Sequence, residues 1–195
     1  AEAEPAQWLM NLPRRIWESL SPAEVYRTTV EEVRTAFKTD RVVILRFDSN
    51  RDGSFIEESV ASTLPKMLWA KIDAPFFAGE DMQQYRLGRA VAIDNIYRAD
   101  LIDSHIGLLE RFGIKAHLSA PIFKDNKLFG LLIAHQCLSF RDWQKSDIDF
   151  FASIATSVGF ALEQAQLREK MEQITQIATQ EAFEIEQPAP EKIEK

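Results

Sequence analysis

The stretch LSAPIFKDNKLFGLLIAHQ, residues 118–136, decides the fold. Residues 118–123 and 128–136 are apolar runs, and between them lies KDNK, a short polar turn. Two extended runs joined so tightly predict an antiparallel hairpin. Upstream, residues 41–47 (RVVILRF) are rich in β-branched side chains. Residues 48–53 (DSNRDG) form a turn cluster ending in an Asp-Gly pair, and residues 55–62 resume an extended pattern. This is a second hairpin.

The long excursion between the hairpins lacks strong periodicity and holds Pro65, Pro75, Gly79 and Gly88. A stretch of that length in a compact domain is usually functional, disordered or locally helical. Within it, residues 103–112 predict a short helix that Gly113 stops. Before the first hairpin the pattern is helical. Pro5 suits a helix start, and Pro13 is expected to interrupt that helix, because a mid-helix proline removes a hydrogen bond and clashes with the preceding turn. Ser21 before Pro22 is a start signal, and Glu24 completes a capping box. Val25, Thr29, Val33 and Ala36 then share one face, closing at Phe37. Residues 141–181 predict one long helix with Asp142 as N-cap. Ile148, Phe151, Ala155, Val158, Leu162 and Ala165 alternate spacings of three and four, and Leu167, Met171, Ile174 and Ala178 continue after a phase shift. Such spacing on a helix that outlasts its domain predicts pairing with another helix. The order of helix, hairpin, excursion, short helix, hairpin and long helix predicts an α+β domain, an antiparallel sheet with helices on its faces.

The composition excludes several function classes. With 23 basic and 30 acidic side chains in 195 residues, the net charge is −7. Binders of nucleic acid or anionic membranes need a local excess of Lys and Arg, so no nucleic-acid partner is expected. Cys137 is the single cysteine, so there is no internal disulfide or Cys-rich metal site. No apolar run approaches the ~20 residues of a membrane-spanning helix, and the acidic start AEAEPAQWLM does not read as a signal peptide. A cytoplasmic location is expected, without membrane insertion by this segment. Phosphate loops, GxGxxG, HExxH, CxxC and GxSxG are missing. His105, His117 and His135 have no metal-ligand spacing. No catalytic residue and no metal site are assigned. Cys137, ending the apolar run LLIAHQC, reads as a buried inert thiol rather than a nucleophile.

From Arg89 onward, the segments 94–97 (DNIY), 104–105 (SH), 115–118 (KAHL), 120–122 (API), 131–137 (LLIAHQC) and 141–143 (RDW) resemble a GAF domain. Tyr85, Arg86, Gly88 and Arg89, with residues 39–42 (TDRV) and Phe47, fit too. The chain is most similar to the bilin-binding GAF domains of cyanobacteriochromes and, more distantly, phytochromes. The resemblance covers about residues 22–165 and implies a five- to six-stranded antiparallel sheet with helices packed on it. The wording of the blocks is most similar to domains of cyanobacterial phototaxis and chemotaxis receptors.

In that family a cysteine directly before a histidine attaches a linear tetrapyrrole through a thioether. Here the position is Ser104, with His105 retained. A second family thiol lies in an Asp-x-Cys-Phe motif, whose counterpart here is residues 73–76 (DAPF), with Pro75 at the thiol position. Both attachment thiols are therefore missing. A thiolate is a potent nucleophile with a pKa near ~8.5, whereas a serine hydroxyl needs an activating base. No covalent bilin is expected, whether Ser104 is natural or a replaced cysteine. By resemblance, His105 would lie against a ligand's conjugated face, Asp73 would accept from pyrrole N–H groups, Arg86 would pair with a propionate and His117 would face the distal end. Trp69, Phe76 and Phe77 would form pocket wall. A non-covalent linear tetrapyrrole (bilin) or another small ligand is the implied cofactor. Each residue has a plain structural reading as well: Ser104 as helix cap, Asp73 as exposed turn residue, Arg86 and Arg89 as surface charges, His117 as core histidine, and the aromatics as core.

The expected organisation is a linker helix over 1–21, a GAF domain over 22–165, a signalling or coiled-coil helix over 166–183 and a disordered linker over 184–195. The leading expectation is a non-enzymatic sensory domain of a bacterial signal-transduction protein, a phototaxis or chemotaxis receptor. It would form a homodimer through its terminal helices and act on neighbouring domains of the same receptor. The alternatives are a ligand-free dimerisation and relay module, and a Cys-to-Ser variant of a photoreceptor domain.

Overall fold

A computed structural model describes residues 7–73 and 80–186. Helices α1 (Gln7–Trp17) and α2 (Pro22–Phe37) lead into β1 (Arg41–Phe47) and β2 (Gly53–Val60). The excursion supplies β3 (Lys71–Ile72), α3 (Glu80–Arg86), β4 (Val91–Ile93) and α4 (Asp103–Arg111). Then come β5 (Ala116–Lys124), β6 (Lys127–Gln136) and α5 (Lys145–Glu186). The six strands form one sheet in the order β3-β2-β1-β6-β5-β4, every pair antiparallel. The α+β architecture is as expected.

The β5–β6 hairpin closes through Asp125 and Asn126, both at positive φ (51° and 59°). Lys124 pairs with Lys127 across it. A two-residue loop needs that left-handed geometry to match the twist of the strands, and Asp and Asn tolerate it. Pro121 lies past the end of β4, which pairs only as far as Ser119. There β5 has no second neighbour, so a residue without an N–H is tolerated.

Period-two alternation divides the apolar residues between two layers. On one face Val42, Ile44, Leu118, Ala120, Ile122, Leu132 and Ala134 meet α1, α2 and α5 through Ile16, Val33, Phe151, Ile154 and Val158. On the other Val43, Leu45, Phe55, Leu131 and Ile133 meet Met67, Met82, Tyr85, Leu109 and Phe112. The second layer is built largely by the excursion, so the stretch least readable in sequence forms one wall of the domain.

Several expectations are corrected. Pro13 does not interrupt α1, which runs through it, anchored by buried Leu12 and Ile16. Tertiary burial of that face outweighs the lost hydrogen bond. Pro5 lies outside the described residues. Ser21 does cap α2, accepting from the Glu24 amide, but Glu24 returns its carboxylate to the Leu20 amide, one residue earlier than the usual box. The second strand spans Gly53–Val60 rather than 55–62. Helix α5 begins at Lys145, not after an Asp142 cap, and continues to Glu186. The first residues of the expected linker at 184–195 are thus helical, and the rest lie outside the described residues. Along α5, Phe151, Ala155, Val158, Leu162 and Ala165 are buried in the domain itself, whereas Leu167, Met171 and Ile174 are exposed. Leu162 therefore belongs to the core.

Candidate functional site: a cavity between the sheet and the excursion

The second face of the sheet encloses a cavity of about 680 Å³, its mouth included. Leu45, Leu131 and Ile133 form its floor, and Met82, Leu109 and Phe112 form part of the opposite wall. Among the described residues its polar lining is Asp81, Tyr85, His105, His117 and His135.

Each polar group is placed by local structure. His117 and His135 are opposite one another on β5 and β6. Ser119, two residues along β5, shares their face. Tyr85 and Asp81, one turn apart on α3, descend from above, and His105 sits in the first turn of α4. The groups form a row: Tyr85 Oη lies 2.7 Å from Ser119 Oγ, Ser119 Oγ lies 2.9 Å from His117 Nε2, and His117 Nδ1 lies 3.1 Å from His135 Nε2. Ser119 also donates to the Val91 carbonyl at 3.4 Å, on edge strand β4. Burial pushes the His117 pKa down to about 3, with His105 adding to the effect, and holds His135 well below the ordinary histidine value. Both imidazoles are neutral at pH 7. Burial also lowers His105, against the opposing pull of Asp81, and raises the Tyr85 phenol.

A buried ion pair lies on the same face of the sheet, against Phe112 of the cavity wall. Arg41 reaches Glu58 at 3.1 Å and donates to the carbonyls of Phe112 and Pro65. Glu58 accepts from the amides of Met67 and Leu68. Cys137 lies beside Arg41, its Sγ 3.7 Å from Nη1. Its amide donates to Asp40, and burial raises its thiol pKa. It is buried, as its apolar setting predicts. The Asp94 carboxylate accepts from the Trp143 amide, and the Trp143 indole donates to the Ile93 carbonyl. That part of the family-like pattern ties β4 to the start of α5.

Of the residues singled out from sequence, the fold brings His105 and His117 to the cavity. Asp73 and Arg86 are exposed and outside its lining. Ser104 is exposed inside the first turn of α4, whose N-cap position is Ile102, so Ser104 does not cap the helix. Trp69 is 69% exposed at a φ of 67°. Phe76 and Phe77 lie outside the described residues. Sequence reasoning did not single out Asp81, Ser119 or His135 as site residues. The alternation along β5 and β6 carried a signal for two of them, since 117 and 119, and 131, 133 and 135, fall on shared faces. Among the described residues, no cluster of His, Cys, Asp and Glu has metal-binding geometry. Nor is any helix among them long and apolar enough to cross a membrane.

Residues 21–162 match the family model described as GAF domain. A Synechocystis sp. protein named for the methyl-accepting chemotaxis class is 42% identical over 185 residues, 95% of this chain. The circadian input-output histidine kinase CikA of Synechococcus elongatus is 23% identical over 193 residues, 90% of this chain. The chain spans only 18% and 26% of those two proteins. Among solved structures, the blue-light-absorbing form of the Thermosynechococcus elongatus PixJ GAF domain has a TM-score of 0.70 and 32% identity, covering 87% of this chain and 95% of that one. A far-red-absorbing dark state with bound biliverdin IXa has a TM-score of 0.76 and 27% identity, covering 82% and 99%.

Proposed function

Because the chain belongs to the GAF domain family, we propose that it is a non-enzymatic sensory domain of a larger phototaxis- or chemotaxis-type receptor, and that its cavity takes a linear tetrapyrrole without a covalent bond. The observation that carries this reading is the apolar cavity with His105 and His117 in its lining. The solved relatives named above include one with bound biliverdin. Ser104 stands where the family places its attaching thiol, and a hydroxyl there lacks the nucleophilicity for thioether-type capture. Apolar enclosure and charge-assisted hydrogen bonds would hold the pigment instead. Asp73 and Arg86, on segments flanking the cavity, would reach it only after rearrangement of the excursion. Such a rearrangement is one conformational state that a ligand would select by binding it more tightly.

Output would pass through α5. Leu167, Met171 and Ile174 are exposed on the part of the helix that extends beyond the domain core. A second copy pairing along this stripe would bury it, and a change in that packing would reach the neighbouring domain of the receptor. A second reading, a ligand-free dimerisation and relay module, is favoured by the exposure of Asp73 and Arg86 away from the lining.

Co-expression with bilin-synthesising enzymes separates these readings. The expected result is a purified protein with a visible absorption band that is lost from the polypeptide on denaturation. A chromopeptide that survives denaturation would refute the non-covalent assignment. A colourless protein would favour the relay module.

A further inference from the structure

We propose that His135 is a positioning residue that fixes the tautomer of His117, holding the His117 proton on Nε2, the nitrogen that faces Ser119. Tyr85, Ser119, His117 and His135 are neutral, and each brings one mobile proton. Three junctions join them: Tyr85–Ser119, Ser119–His117 and His117–His135. Ser119 has a fourth contact, to the Val91 carbonyl.

Only two tautomer pairs of the histidines put one proton in every junction. In the first, His135 Nε2–H donates to His117 Nδ1 and His117 Nε2–H donates to Ser119 Oγ. Tyr85 also donates to Ser119, and the Ser119 hydroxyl donates to Val91. All four protons are then used, and His135 Nδ1 is a bare nitrogen. In the second, every histidine proton moves to Nδ1. His117 donates to His135, Ser119 donates to His117, Tyr85 still donates to Ser119, and the Val91 contact has no donor. Mixed tautomers are excluded by the 3.1 Å junction, which would hold either two protons or none.

The free end of the row decides between the two. His135 Nδ1 is buried with no hydrogen-bond partner among the described residues. The second arrangement puts an N–H there, and orphaned buried N–H groups are rarely tolerated. The first arrangement leaves a lone pair instead and satisfies Val91 as well. His117 is thereby a donor toward Ser119. A cavity ligand that displaces Ser119 must offer an acceptor, such as a carbonyl oxygen, and not a pyrrole N–H. This last step alone rests on the reading of the cavity as a ligand site.

The test uses the ligand-free chain labelled with ¹⁵N-histidine, with two-bond ¹H–¹⁵N correlation spectra at neutral pH. Both His117 and His135 are expected to show a protonated Nε2 and a bare Nδ1. His117 protonated on Nδ1, or either ring doubly protonated, overturns the proposal. His135→Glu puts an acceptor opposite His117 Nδ1 in place of the donor, and His117 is then expected to carry a proton on Nδ1. His135→Gln keeps an amide donor there and is expected to keep the Nε2–H form, which a merely space-filling role would not distinguish from His135→Glu. A His117 Nδ1 that stays bare in His135→Glu overturns the assignment. Should that variant fail to fold, the tautomers of the unmodified chain still decide. Because no pigment is present, the result is independent of the co-expression experiment.

Discussion

Arg41 and Glu58 form an ion pair at 3.1 Å, with side chains 0% and 2% exposed. Around it gather the carbonyls of Phe112 and Pro65 and the amides of Met67 and Leu68. The pair therefore joins the central strands to both ends of the excursion. Removing one partner of a buried pair leaves an uncompensated charge and costs ~3–5 kcal/mol. Arg41→Met is expected to lower stability by that order in urea unfolding. The double variant Arg41→Met, Glu58→Met should cost less than the sum of the two singles, since no lone charge remains. Strict additivity would show that the two side chains act independently.

The folded state holds His117 and His135 neutral, with His117 down at about 3. The unfolded chain protonates each near ~6.5. Below that pH the unfolded state binds more protons, so stability falls as pH falls. It is fully present above about pH 6.5 and declines toward pH 3, by up to ~1.4 kcal/mol per pH unit for each histidine. Between pH 6.5 and 5, above the usual carboxylate range, this should be the main slope. His135→Gln should make it shallower in unfolding curves taken across that window. An unchanged slope would mean that His135 is not held neutral by the fold.

The two hairpins and the flanking helices were legible because their signals are local: β-branched runs, a turn of Asp and Asn, and a Ser-Pro helix start. The excursion was not. Its strands β3 and β4 have two and three residues, too short to show a period. Their positions are set by pairing with β2 and β5 rather than by their own sequence. The site was legible where strand alternation carried it, as for His117, or where family-like motifs did, as for His105. Asp81 and Tyr85 sit on the seven-residue helix α3, and only the packing of that helix brings them to the cavity. Pro13 misled because proline rules describe the isolated helix, whereas burial of Leu12 and Ile16 is a tertiary effect.

Helix α5 gives a test of self-association. Leu167 and Ile174, seven residues apart, are 56% and 62% exposed, beyond the last buried position at Ala165. If a second copy covers this stripe, Leu167→Asp with Ile174→Asp should yield a folded monomer by light scattering, its unfolding midpoint no longer dependent on protein concentration. Leu162→Asp, by contrast, buries a charge in the domain core and should unfold the protein. A dimer that survives the double substitution would move the interface elsewhere.

Ser104 gives a gain-of-function test. It sits in the first turn of α4 next to His105, which lines the cavity. A thiol introduced there would meet the helix N-terminus, whose partial positive charge favours the thiolate. Ser104→Cys, co-expressed with bilin-synthesising enzymes, is expected to retain pigment on the polypeptide through denaturing electrophoresis, where the unmodified chain releases it. The comparison isolates the nucleophile, because the exposed side chain at 104 has room for sulfur without repacking. A coloured Ser104→Cys protein that still sheds its pigment on denaturation would place the bound pigment's reactive carbon out of reach of α4. The serine would then not be what prevents attachment.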